Sequence, residues 1–223
     1  MSNETISDLV GSGREPVLFY SPGACSLASH IALEEAGRPY RSVQTLLSKN
    51  EHQSAEFLAI NPRGRVPALV VEGKVITENT AILTWIADTA PDAELLPAEP
   101  IARAQAIAQM AWFSNTPHIY QRARFRPHRF ADREDSLEDV RAKAASTYWE
   151  YMQEIDALIG AQAWMMGDCY TVADPYALVF YGWGASNGMP MTELRNYTRH
   201  KVQMLERPAV RTVIERENNP HFR

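Results

Sequence analysis

Short apolar and polar blocks alternate along the first half of the chain, and their periods predict a mixed α/β unit. Residues 16–20, PVLFY, form an apolar and aromatic run suited to a buried strand. From Ser26 to Ala36 the period changes. Leu27 and Ile31 lie four apart, Glu34 and Glu35 fall on another face, and Gly37 supplies the left-handed stop common at helix ends. YRSVQTL at 40–46 predicts a second strand and SAEFLAI at 54–60 a short helix, followed by the turn signal NPRG. PALVVEGKVIT reads as two strands joined by a two-residue turn at Glu72 and Gly73. In NTAILTWIADTAP (79–91), Ile82, Leu83 and Ile86 keep helical spacing until Pro91. The resulting order is β-α-β-α-β-β-α.

Beyond Pro100 the strand pattern disappears. IARAQAIAQMAWFSN is helical, and Ser136 followed by Asp139 reads as a capping box that opens a long helix through about Ile159. Thr171 and Asp174 stand in the same relation before ADPYALVFYGWG. Two further helices are predicted near 191–206 and at 208–217, the last opened by Pro208. The proline- and acid-rich PDAELLPAEP is the linker. The chain therefore divides into an extension at 1–15, an α/β domain at 16–91 and an all-α domain at 101–223.

Composition narrows the partners. With 45% hydrophobic and 22% charged residues, this is an ordinary globular chain large enough for sizeable cores. A formal net charge of −5 argues against nucleic acid, and no apolar run is long enough to cross a bilayer. The opening residues lack the basic start and apolar core of a secretory signal and are expected to be flexible. Cys25 and Cys169 are the only cysteines. Neither has CxxC or His-rich spacing, so no metal site is expected, and a cytoplasmic home is simpler than a disulfide between them.

Cys25 lies where the loop after the first strand becomes a helix. There the macrodipole and unpaired N–H groups favour a thiolate, either its own or that of a partner sulfur held beside it. A small buried structural side chain is the alternative. A second cysteine three residues on would resolve a mixed disulfide, but that place holds Ala28. A resolving thiol would come from outside, and glutathione is the natural candidate.

YSPGACSLASHIALEEAG, NPRGRVPALV, TENTAILTWIAD and YTVADPY, in that order and spacing, resemble the cytosolic glutathione transferases, and the bacterial beta class in particular. The resemblance spans residues 16–220. It implies a thioredoxin-like N-terminal domain followed by an all-helical C-terminal domain, a homodimer, and bound glutathione as cosubstrate. By the same resemblance Pro67 is the family's cis-proline, which frees the Val66 backbone to pair with the cysteinyl backbone of glutathione; an ordinary strand-starting proline is the other reading. Asn79 and Thr80 would hold the γ-glutamyl carboxylate at a helix N-terminus, with Glu78 on the neighbouring α-ammonium. Asn79 stands where the family usually has serine or another small residue.

Lys49 falls, after a one-residue gap, near the family's cation for the glycyl carboxylate; a solvated surface lysine is the other reading. His118 matches the histidine that faces the glutathione sulfur, a surface or packing histidine being the other reading, with Pro117 before it expected to kink the helix. Ile119 replaces a lysine often found there. Ser26 is a hydroxyl candidate beside the sulfur, Tyr20 and His30 are read as structural, and Cys169 is expected buried. Arg122, Arg124, Arg126 and Arg129 read as a solvated face. The function implied is conjugation of glutathione to a small electrophile. The alternatives are thiol–disulfide exchange through a mixed disulfide at Cys25 and non-catalytic glutathione binding.

Overall fold

The computed structural model describes residues 15–222, so the expected extension lies, but for Glu15, outside the described residues. The chain forms two compact units. One comprises the residues up to Leu96 together with those from Glu206 onward, and the other runs from Pro97 to Leu205.

The first unit holds four strands, β1 (Val17–Tyr20), β2 (Arg41–Gln44), β3 (Ala68–Val71) and β4 (Lys74–Thr77), in the order β2-β1-β3-β4. β1 pairs parallel with β2, Val17 opposite Arg41, and antiparallel with β3, Leu18 opposite Leu69. The parallel step needs a crossover, which α1 (Ser26–Glu35) provides. α2 (Ala55–Ile60) and α3 (Asn79–Thr89) complete the expected α/β order.

Alternation along the strands decides the two faces. Val17, Phe19, Ala68 and Val70 pack with Phe57 of α2 and Val66. Leu18 and Leu69 point the other way, toward the layer of α1 and α3, where Leu27, Ile31, Ile82, Leu83 and Ile86 are all buried. Local chemistry sets the ends. Gly37 adopts φ +64° and its N–H reaches the Glu34 carbonyl. Glu72 and Gly73 both have positive φ, as a two-residue hairpin turn with the right-handed strand twist requires. Ser54 caps α2, its Oγ accepting from the Phe57 N–H.

The second unit contains α4 (Pro100–Asn115), α5 (Pro117–Phe125), α6 (Leu137–Ile159), α7 (Ala173–Ser186) and most of α8 (Arg195–Glu206). Its core is aromatic: Phe113, Tyr148, Tyr176, Phe180 and Tyr197 are fully buried. Burial pushes the Tyr148 and Tyr197 hydroxyls well above the usual phenol range, and they donate to the carbonyls of Phe180 and Ala177.

Several sequence expectations change here. Pro117 does not kink one helix; the backbone breaks at Thr116 and Pro117 starts α5 at its first position, where its missing N–H costs nothing. Ser136 stands at the N-cap of α6 but forms no capping box, because a single 3-10 turn at Glu134–Ser136 precedes the helix and the Ser136 hydroxyl goes to Asp135. Thr171 and Asp174 do form their box, the Thr171 Oγ1 accepting from Ala173 N–H and the Asp174 carboxylate from Thr171 N–H. That carboxylate also accepts from Met165 N–H at 2.8 Å and His200 Nε2 at 2.9 Å. Cys169, expected buried, is exposed, and neither cysteine is in a disulfide.

The helical domain drawn to residue 223 also ends earlier. α9 (Pro208–Glu217) packs on the first unit, against α1. Arg207 grips Glu35 with two hydrogen bonds, at 2.6 and 2.9 Å, and Arg216 reaches Glu34. At the centre of this contact His30 Nδ1 lies 2.8 Å from Glu217 Oε1, both side chains wholly buried. His30 therefore fixes α1 to α9.

Candidate functional site

Cys25, Ser26, Val66 and Asn79 come together where β1 ends and β3, α1 and α3 begin. Ser21 to Cys25 form the turn between β1 and α1. Its chain is closed by Ala24 N–H donating to the Ser21 carbonyl and by Ser26, whose Oγ donates to that carbonyl at 3.2 Å while accepting from Ser21 N–H at 3.1 Å. Ser26 is fully buried. Its hydroxyl is thus committed to holding the turn, which departs from the expectation of a hydroxyl offered to a sulfur. Ser21 Oγ in turn accepts from Leu47 N–H, tying the turn to the segment after β2.

Cys25 is the residue that caps α1, and its backbone, not its side chain, makes the cap. The half-buried thiol faces the Val66 carbonyl, Sγ to O 3.6 Å, as a donor. Val66–Pro67 is cis, as expected. Among the described residues the Val66 N–H donates to no backbone carbonyl. Its peptide edge can therefore accept and donate in strand fashion to an extended ligand, once the Cys25 thiol yields the carbonyl.

Asn79 opens α3 but does not offer its side chain to a ligand. Its Nδ2 donates to the Cys25 carbonyl at 2.9 Å and its Oδ1 accepts from Ser29 Oγ at 2.6 Å. The amide is a buried clamp between the first turns of α1 and α3. An anion at this helix end would meet the backbone N–H groups of Asn79 and Thr80, where the helix carries partial positive charge. Glu78 precedes them, exposed, at φ +70° and ψ 124°. This conformation costs a non-glycine residue about 1–3 kcal/mol and is held by the surrounding structure. It carries the exposed carboxylate beside the α3 N-terminus. Lys49 is exposed at the end of a single 3-10 turn, Leu47–Lys49. Tyr20 is buried with its ring 4.6 Å from that of His30; burial, then the charge of Glu217, raises its hydroxyl above the usual range.

In the second unit His118 occupies the first turn of α5, its ring 5.1 Å from Trp183 and 6.3 Å from Phe180. Of the arginine run, Arg124 is not a solvated charge. Its Nη2 donates to the Asn187 carbonyl at the C-terminal end of α7, the negative end of that helix. Gln121, also buried, accepts from Asn187 Nδ2. Sequence reasoning missed Glu217 and Asn219, both buried carriers of hydrogen bonds. Their only sequence signal was polarity beyond the point where the apolar period of α9 stops.

Among the described residues no helix is long and apolar enough to span a membrane. Nor does any group of three or more His, Cys, Asp or Glu among them have the geometry of a metal site.

Comparison with known proteins gives this geometry a family. Residues 17–88 match the glutathione S-transferase N-terminal domain. Glutathione S-transferase GstA of Escherichia coli is 31% identical over 90% of this chain and 98% of its own. A glutathione transferase homologue from Sulfitobacter, solved with bound glutathione, superposes with a TM-score of 0.87 at 32% identity, covering 92% of this chain and 99% of that one. A bacterial beta class enzyme from Sphingomonas chungbukensis gives 0.80 at 32% identity, with 90% and 98% covered. Identity of this extent over nearly the whole of a relative, with the cis Val66–Pro67 turn and the Cys25-capped helix in place, means that the chain belongs to the glutathione S-transferase family.

Proposed function

We propose that this protein is a glutathione transferase, which binds glutathione in its first unit, favours the thiolate, and conjugates it to a small electrophile. The observation that carries the reading is the Val66 peptide at the mouth of α1, whose carbonyl faces the Cys25 thiol and whose N–H donates to no backbone carbonyl among the described residues. The cysteinyl backbone of the tripeptide pairs with Val66 next to Pro67. Its γ-glutamyl carboxylate sits on the N–H groups of Asn79 and Thr80, its α-ammonium meets Glu78, and its glycyl carboxylate is within the reach assigned to Lys49. The sulfur then lies by Cys25, at the positive end of α1.

Favouring the thiolate by two to three pH units corresponds to roughly 3–4 kcal/mol of preferential anion binding, within what a helix N-terminus and a donated hydrogen bond supply together. On leaving the Val66 carbonyl the Cys25 thiol can donate to that anion. The thiolate attacks the electrophilic carbon, the carbon–sulfur bond forms, and the leaving group departs with its electron pair. His118 is assigned the proton handling, as an imidazole that can accept and return a proton, and Ser26 a positioning role through Ser21. The protein acts as a cytoplasmic homodimer.

Calorimetry with glutathione tests the reading. Heat of binding and a raised melting temperature are expected, with turnover of an activated aryl halide. Neither heat nor stabilisation would refute it and leave a non-catalytic member of the fold. A second reading is favoured by the placement of Cys25 itself: a half-buried thiol at a helix N-terminus is suited to attack the glutathionyl sulfur of a disulfide between glutathione and a second thiol, which leaves as the free thiol; another glutathione then attacks the Cys25–glutathione mixed disulfide, restoring the Cys25 thiol and releasing oxidised glutathione. Cys25→Ala separates the two. Conjugation retained with disulfide reduction lost assigns the thiol to exchange only.

A further inference from the structure

The segment after α9 closes a hydrogen-bonded circuit around the Cys25 turn. It starts on α1, where His30 Nδ1 meets Glu217 Oε1 at 2.8 Å. Glu217 Oε2 accepts from Asn219 Nδ2 at 3.2 Å, and Asn219 Oδ1 accepts from the His221 N–H at 3.0 Å. His221 Nε2 then reaches the Gly23 carbonyl at 3.1 Å. The circuit leaves the chain five residues after Cys25 and returns two residues before it. Glu217 and Asn219 are buried, so water does not compete for these bonds.

Gly23 is built for this approach. Its φ is +73°, and a Cβ there would stand 2.8 Å from both His221 Nε2 and Pro220 Cγ. Only glycine lets Pro220 and His221 lie against the turn.

We propose that His221 is a positioning residue for the Cys25 thiol. By holding the Gly23 carbonyl it fixes the turn whose other end Ser26 closes on Ser21, and so sets the Cys25 sulfur against the Val66 carbonyl. This rests on the reading above, in which the glutathione sulfur lies at Cys25. The effect passes through the turn, by way of the bond between His221 Nε2 and the Gly23 carbonyl.

The test is the pH dependence of Cys25 alkylation by iodoacetamide, read by peptide mass spectrometry with the exposed Cys169 as internal reference. In His221→Leu the ratio of Cys25 to Cys169 alkylation rises about fivefold, the worth of one net hydrogen bond. Its pH midpoint falls by about half a unit as the thiol leaves the carbonyl. His221→Gln, which keeps a donor at similar reach, restores the wild-type ratio and midpoint. Gly23→Ala, which displaces His221 from the other side, reproduces the His221→Leu shift and serves if that variant does not fold. A ratio and midpoint unchanged in both His221→Leu and Gly23→Ala, or no restoration by His221→Gln, overturns the proposal.

Calorimetry of the wild type with glutathione separates the two claims. Heat with unmoved alkylation removes the positioning role alone, whereas altered alkylation without heat removes the glutathione reading and leaves the coupling.

Discussion

Asn79→Ala should loosen α1 more than any other single change at the candidate site. The amide makes two buried bonds, to the Cys25 carbonyl at 2.9 Å and from Ser29 Oγ at 2.6 Å, with Asn79 only 4% and Ser29 0% exposed. Each such bond contributes about 1 kcal/mol net, and a polar atom left orphaned in the interior costs about 1–3 kcal/mol more. The two acceptor and donor partners differ. The Cys25 carbonyl keeps the Ala28 N–H as a partner, but Ser29 Oγ loses its bond to Asn79 and water has no access to replace it. The expected loss is therefore about 2–4 kcal/mol, most of it at Ser29.

Ser29→Ala alone should cost about 2–4 kcal/mol, since it orphans the buried Asn79 Oδ1, and adding it to Asn79→Ala should cost nothing further, since neither orphan then remains. Native-state hydrogen exchange of a peptide covering 26–35 reads this locally, which matters because unfolding of a chain with two units need not be two-state. A loss below about 0.5 kcal/mol for Asn79→Ala, or strict additivity in the double variant, would refute the clamp.

Three other outcomes follow from the same structure. Asp174→Asn removes the charge that receives Met165, Thr171 and His200, and should destabilise the second unit by about 3–5 kcal/mol, read by exchange of peptides from α7; a cost under 1 kcal/mol would show the carboxylate to be dispensable. Burial holds His221 below the usual imidazole range, so the folded ring binds a proton less readily than the unfolded one. Its packing is thus fully stable above about pH 6.5 and weakens as pH falls through that value, which exchange at residues 218–222 should register after correction for intrinsic rates, and equal protection at pH 7.5 and 5.5 would contradict it. Glu78→Gln should weaken glutathione binding by roughly tenfold in calorimetry, the worth of one charge-assisted hydrogen bond, while an unchanged affinity would remove Glu78 from the ammonium site.

Reading the chain alone determined whatever a few neighbouring residues decide. The β-α-β-α-β-β-α order, the Glu72–Gly73 hairpin turn, the stop at Gly37 and the opening of α9 by Pro208 all rest on dihedral preferences and periods contained in one short segment. The Cys25 position at the mouth of α1 was legible for the same reason. Ser136 shows the limit of local signals, since its hydroxyl had a nearer partner in Asp135.

Other assignments needed residues that are remote in sequence and adjacent in space. His30 and Glu217 stand 187 positions apart. Asn79 acquired its duties from Ser29 and Cys25 across the α1–α3 contact, and the chain from Glu206 onward joined the first unit. A buried polar group must find a partner wherever packing leaves one, and packing is a property of assembled surfaces. The pattern of apolar positions says which face is buried but not what lies against it, so that choice belonged to the tertiary structure.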